Sequence, residues 1–167
     1  MTDSAAVRIA RAFNQTFYPT HQTVMEGGGA EPSYEPAAGS RPARIVHTFD
    51  YPASALHEAA HWCIAGPARR GQRDYGYWYE PGPRNRTQRT AFFAAEAKVQ
   101  ALEAVFATSC GVRFVVSADD FAATPDELAR FARSVREQID VRLRSVLPAR
   151  ARRFCDALRA EFEHGGG

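Results

Sequence analysis

An α+β fold, a small sheet packed with helices around a central helix bearing His-Glu-x-x-His, follows from three observations. Five stretches read as helices, three of them behind clear start signals. Short β-prone runs sit between them. Clusters of Gly, Pro and Ser separate the two kinds. The 167 residues suffice for a single catalytic domain, 1–167, whose core needs neither disulfides nor a structural metal.

Each element has its own warrant. Residues 4–17 form a helix, capped by Ser4, with Val7, Ala10, Phe13 and Phe17 recurring at helical spacing. Gln22 to Met25 is a short strand. Residues 26–43, rich in Gly, Pro and Ser, form a flexible loop; Gly27-Gly28-Gly29 lacks the spacing and context of a phosphate cradle. Arg44 to Phe49 is a strand leading into a helix from Ser54, its N-cap, to Gly66, with Pro67 stopping any continuation. Tyr75-Gly76-Tyr77-Trp78-Tyr79 is aromatic and strongly β-prone, and Pro81-Gly82-Pro83 breaks the chain after it. A long helix follows from Thr90 to Thr108, then a strand from Val112 to Val116. Thr124-Pro125-Asp126-Glu127 combines a capping Thr, a Pro in the first turn and a Glu that closes a capping box. Leu128, Phe131, Val135 and Ile139 mark the apolar face of that helix. Pro148 separates it from a last helix with Phe154, Leu158 and Phe162, and the tail 164–167 frays.

Composition narrows the function classes. The chain is 45% hydrophobic and 24% charged, which is ordinary for a globular protein. No apolar run approaches a membrane span, and the first twenty residues lack the apolar centre of a signal peptide. Cys63, Cys110 and Cys155 are scattered and odd in number, which fits a reducing, cytoplasmic setting. A net charge of +2 is too small to argue for nucleic acid, and none is expected as partner. Lys98 is the only lysine among 21 basic residues, and arginines crowd the stretch from Arg130 to Arg159. Acids are interspersed there, so the stretch reads as a solvated helix face or as a patch for an acidic partner.

The chemistry centres on His57-Glu58-Ala59-Ala60-His61. Histidines four apart on a helix share a face, so two imidazoles can bind one metal ion with the glutamate close by. The third His of a metzincin is missing: Pro67 and Ile64 stand where that motif needs His and Gly. On the helix from Thr90, Phe92, Val99 and Phe106 define an apolar face that also carries Glu96 and Glu103, with Gln100 at its border. A carboxylate on an apolar stripe is costly unless it is paired or coordinates a metal. Glu96 is therefore the favoured third ligand, with Asp74 its rival. Glu103 suits an outer partner that orients a histidine, or a contact to substrate.

Other residues carry open assignments. Glu58 serves as a general base in a zinc protease, or meets a cationic substrate in an oxygenase, or pairs locally on its helix. Asp74, Tyr75, Tyr77 and Trp78 offer acid and aromatic faces for an ammonium group, or simply build core and sheet. Arg69 and Arg70, directly after the metal helix, recognise acidic groups or close the helix end electrostatically.

The residues Ala53-Ser54-Ala55-Leu56-His57-Glu58-x-x-His61-Trp62-Cys63-Ile64-Ala65-Gly66-x-Ala68-Arg69-Arg70, followed by Asp74-Tyr75-Gly76-Tyr77-Trp78-Tyr79, closely resemble the bacterial elongation factor P hydroxylases. Glu96-x-Lys98-x-Gln100-Ala101-Leu102 is also similar to that family. The resemblance is dense from about Arg44 to Phe106, and Glu80-Pro81-Gly82-Pro83 departs from it. It implies a fold similar to a metal-dependent bacterial endoribonuclease and a two-histidine, one-carboxylate iron site. It implies hydroxylation of the β-lysyl-modified lysine of elongation factor P, with Fe(II) as metal and dioxygen as cosubstrate; 2-oxoglutarate is left open. His57 and His61 are the residues that match the family's metal histidines. The rival functions are a zinc-dependent hydrolase with Glu58 as base, a metal-dependent endoribonuclease, and a non-enzymatic module with a structural metal.

Overall fold

A computed structural model describes residues 2–77 and 83–164. The chain opens with α1 (Ala5–His21), then β1 (Thr23–Gly29), β2 (Ser33–Glu35) and β3 (Ala43–Thr48). Helix α2 (Pro52–Ile64) is followed by the short α3 (Pro67–Arg70) and a 3-10 turn over Arg73–Gly76. Helices α4 (Arg86–Cys110), α5 (Pro125–Arg144) and α6 (Ala149–His164) complete it. This is the expected mixture of helices and a small sheet.

Strand β3 is the centre of the sheet, parallel to β1 and antiparallel to β2. The glycine-rich run expected as a loop is thus largely strand. The reason is steric. A Cβ at Gly27 would come within 2.5 Å of the buried His47 ring and 2.7 Å of the Phe49 carbonyl. Glycine lets β1 lie this close to β3. Asn14 of α1 fixes the other end of β1, donating to the Met25 carbonyl (2.9 Å) and accepting from the Met25 N–H (2.6 Å).

Helix α1 is capped by Ser4, as expected, and runs on to His21. Ile9, Phe13 and Phe17 are buried on its inner face, while Val7 is exposed. Phe13 and Phe17 meet Trp62 of α2 and Phe154 of α6, and Phe154 meets Phe106 of α4 edge-on at 4.9 Å. This aromatic cluster locks four helices together, with α2 in contact with α1, α4, α6 and β3.

Local expectations about α2 need correction. Its N-cap is Tyr51, not Ser54, and Pro52 takes the first turn. The Ser54 hydroxyl instead accepts the Thr48 N–H at 2.9 Å and ties the helix to β3. As expected, α2 ends before Gly66 and Pro67; Pro67 then opens a separate helix, α3, since a first-turn Pro lacks only an N–H that would be unpaired there anyway. The carbonyls at the α2 end are met by guanidinium groups. Arg150 donates to Trp62 (2.6 Å) and Ala65 (2.7 Å), and Arg70 donates to Ala65 (2.7 Å). Cations here also oppose the negative end of the helix dipole.

Among the described residues, neither of two expected strands forms. Residues 73–76 form the 3-10 turn, with Asp74 (φ 47°) and Tyr75 (φ 60°) left-handed, so the aromatic run does not continue as a strand there. Trp78, Tyr79 and Glu80 lie outside the described residues. Val112 to Val116 runs without a strand partner along α4. Further on, the Gln100 side chain stands in for one: it donates to the Ser117 carbonyl (2.5 Å) and accepts from the Ser117 N–H (3.1 Å).

Helix α5 begins with the expected capping box of Thr124 and Glu127. Phe131 stacks on Phe93 of α4 at 4.7 Å, and Val135 is buried beside it. The three cysteines are free and buried, and burial pushes the Cys63 thiol up to about 12, so Cys63 acts as packing. Among the described residues, no helix is long and apolar enough to cross a membrane. The C-terminal residues 165–167 lie outside the described set.

Candidate metal centre

The site forms where α2 crosses α4. On α2, the four-residue spacing puts His57 and His61 on one face, and their Nε2 atoms stand 3.2 Å apart. Glu96 of α4 straddles them. One oxygen lies 3.3 Å from His61 Nε2 and the other 3.5 Å from His57 Nε2. One ligand atom from each of the three residues falls within 4.8 Å of the others. The side chains are mostly buried, 24%, 20% and 13% exposed in chain order.

The donor set fits a metal ion. Two nitrogens each about 2.1 Å from one ion stand ~3.0–3.4 Å apart at angles between the octahedral and tetrahedral values. The observed separation lies in that range. Two histidines with one carboxylate are also the ligands that leave positions open on iron. Asp74, the rival ligand, is exposed, and its carboxylate accepts the Tyr34 N–H at 2.9 Å, which joins the 3-10 turn to β2.

The acids differ in their engagement. Glu103 accepts from His57 Nδ1 at 2.9 Å, so it faces the far side of a candidate ligand and not the open side. A substrate contact by Glu103 is thereby replaced by the orienting role: a carboxylate on Nδ1 fixes the tautomer that presents Nε2 inward. Burial disfavours a charge on His57, but the Glu103 bond and the charges of Glu96, Glu103 and Glu58 outweigh it and raise its pKa to about 9. Burial also opposes ionisation of Glu96. The bond to His61, the two imidazole charges and Gln100 prevail and hold its carboxyl below the ordinary range. Glu58 is 8% exposed, and among the described residues no hydrogen bond or ion pair engages it. Burial, with Glu96 and Asp74 nearby, pushes its carboxyl up against the opposing effect of the histidines.

The segment after α2 forms the rim. Tyr75 is buried, stacks on Tyr34 at 4.2 Å, and lies nearly parallel to His61 at 6.2 Å. Its hydroxyl has no hydrogen-bond partner and is held well above its ordinary pKa by burial and by Glu58. Tyr77 is exposed and meets His61 edge-on at 6.4 Å. Arg69 donates to the Tyr75 carbonyl (3.1 Å) and lies 4.8 Å over the Tyr77 ring. Arg70 is committed to the α2 end, and its carbonyl accepts from the Tyr34 hydroxyl at 2.6 Å. Both arginines therefore hold the rim together. Trp78 lies outside the described residues.

Sequence reasoning missed Tyr34 and Arg150. No local pattern marks Tyr34, whose ring matters only once β2 meets the 3-10 turn. Arg150 is one arginine among many, distinguished only by where α6 places it. Gln100, one turn after Glu96 and 3.5 Å from its carboxylate, did carry a signal in that spacing.

Fold and site together define a small α+β protein with a candidate two-histidine, one-carboxylate metal centre between two core helices. The chain belongs to the elongation factor P hydroxylase family, whose model matches residues 12–166. It is 39% identical over 155 residues to the elongation factor P lysine hydroxylase of Haemophilus influenzae, covering 92% of this chain and 87% of that protein.

Proposed function

We propose that this protein hydroxylates the β-lysyl-modified lysine of elongation factor P, using dioxygen at an Fe(II) ion held by His57, His61 and Glu96. The observation that carries the reading is the convergence of these three side chains in a chain of this family. The relative's name supports the substrate protein and the reaction. Fe(II) would supply the redox chemistry that activates dioxygen, which zinc, without an accessible redox change, does not.

The residues of the chain divide the remaining work. His57 and His61 present their Nε2 atoms, Glu96 presents its carboxylate, and Glu103 holds the His57 Nδ1 side. The wall of α4 excludes water from one side of the centre, since α4 is buried from Val99 to Ala107. One atom of dioxygen would enter a C–H bond of the lysine; the other would leave as water with two electrons and two protons from an external reductant, or would pass into 2-oxoglutarate as it loses carbon dioxide and becomes succinate. The exposed Arg130, Arg133, Arg136 and Arg144 of α5 have no ion-pair partner among the described residues and suit an acidic protein surface. Action on a translation factor places the enzyme in the cytoplasm, and the fold is expected to be similar to that of the metal-dependent endoribonuclease.

The test is intact mass measurement of β-lysylated elongation factor P after incubation with Fe(II)-loaded protein and dioxygen, with and without 2-oxoglutarate, and with ascorbate as a second reductant. One oxygen atom gained on the modified lysine, and none with His57→Ala, is the expected result. No gain under any of these conditions overturns the proposal in favour of hydrolysis of peptide or RNA.

A further inference from the structure

The candidate centre carries one carboxylate more than its own groups employ. Glu96 faces both histidines, and Glu103 is bonded to His57. Asp74 holds the Tyr34 N–H. Glu58 alone, although buried, has neither a hydrogen bond nor an ion pair among the described residues. A buried carboxyl group without a hydrogen-bond partner is costly, and a ligand that supplies the missing partner offsets that cost.

Beside it stands a second unfinished group. The Tyr75 hydroxyl is buried without a partner, and the Tyr75 ring lies nearly parallel at 6.2 Å to His61, three residues beyond Glu58 on α2. The rings nearby are already engaged: Tyr75 stacks on Tyr34, and one face of Tyr77 holds Arg69. The two oxygen-bearing groups without partners are thus the ones open to a cation among the described residues.

We infer that the Glu58 carboxylate and the Tyr75 hydroxyl form the receptor for an ammonium group of the substrate side chain, setting the reach of that side chain past the metal. The helix gives the geometric basis. Glu58 follows His57 directly and precedes His61 by three residues, so a cation bound by it lies within one helical turn of both. Glu58 is then a specificity residue and not a general base. This rests on the proposed reading of the substrate as β-lysylated elongation factor P, whose β-lysyl group carries the ammonium.

The test is equilibrium binding to Zn(II)-loaded protein, which is redox-inert and so reports recognition without turnover. The probes are elongation factor P carrying the β-lysyl group and the same factor acetylated at that lysine, which keeps the amide and removes the ammonium. The wild type is expected to prefer the β-lysylated form at least tenfold. Glu58→Gln is expected to abolish that preference while binding the acetylated form as the wild type does, with zinc content retained. Glu58→Asp should recover part of the preference, and Tyr75→Phe should lower it several-fold. A preference that survives Glu58→Gln overturns the inference, as does equal weakening of both forms. Binding of neither form by the wild type overturns the substrate reading, and the inference with it.

Discussion

The crossing of α2 and α4 and the segment 67–77 border the same two histidines but are built by different means. At the crossing, each functional side chain is fixed by another: Glu103 holds His57, Glu96 spans His57 and His61, and Gln100 approaches Glu96. The backbone behind them is regular helix packed on an aromatic core. The rim is an irregular chain with two left-handed residues, held by Arg69 on the Tyr75 carbonyl and Asp74 on the Tyr34 N–H. Rigid helices suit ligands that must converge within tenths of an ångström; the rim suits residues that shape the approach to them. The two regions should therefore separate by experiment, metal affinity belonging to one and substrate discrimination to the other.

The largest effect tests the crossing. His61→Ala removes a candidate ligand and should abolish measurable Fe(II) binding and hydroxylation. The loss should go well beyond the roughly 10–100-fold that follows loss of an outer partner. The metal-free variant should keep its helical circular dichroism, because the core cluster of Phe13, Phe17, Phe106 and Phe154 does not involve His61. Unfolding of the variant would instead mark the metal as structural.

Glu103→Gln comes next. An amide keeps the shape but weakens the hold on His57 Nδ1, and metal affinity should fall about 10–100-fold. Titration with Mn(II), followed by calorimetry, reads this directly. Unchanged affinity would show that the crossing tolerates a free His57, and the contrast with the rim would weaken.

The pH dependence has a defined sign. In the metal-free protein the His57 pKa is about 9, above the ordinary 6.5. The proton on His57 stabilises the metal-free fold fully below the ordinary value, and that stabilisation is lost as pH rises through about 9. Metal must displace the same proton. Apparent Mn(II) affinity should therefore climb about tenfold per pH unit between roughly 7 and 9, then level off. Affinity that is flat across this window would place the proton elsewhere.

What the sequence made legible follows the same division. The pair His57 and His61 rests on helical spacing alone, and Glu96 on the cost of a carboxylate along an apolar helix; both arguments concern regular elements. The Thr124 capping box likewise names its own partner, Glu127, in the sequence. The aromatic run from Tyr75 misleads because β-propensity describes a side chain on a pleated surface, whereas stacking on Tyr34 and bonds to Arg69 and Asp74 hold the backbone left-handed there. Val112 to Val116 has the composition of a strand, but among the described residues it pairs with no strand, and the Gln100 side chain takes up the polar groups just beyond it. The Gly27 run looks like a loop because close approach of two strands leaves no trace in one sequence except the glycine itself.

The smallest expected effect is the sharpest test of the comparison. Tyr77→Ala removes an exposed ring that touches His61 only edge-on and gives Arg69 a cation–π contact. Such a contact at an exposed site contributes roughly 0.5–1 kcal/mol, so Arg69 should loosen without unfolding the rim, its bond to the Tyr75 carbonyl remaining. Metal affinity should be unchanged, because no atom of Tyr77 holds His61 against Glu96. The KM for β-lysylated elongation factor P should rise a few-fold with kcat nearly constant, the signature of lost binding common to ground and transition states. If Mn(II) affinity falls as far in Tyr77→Ala as in Glu103→Gln, the rim helps to hold the metal, and the centre must be redrawn to include the irregular segment as well as the two helices.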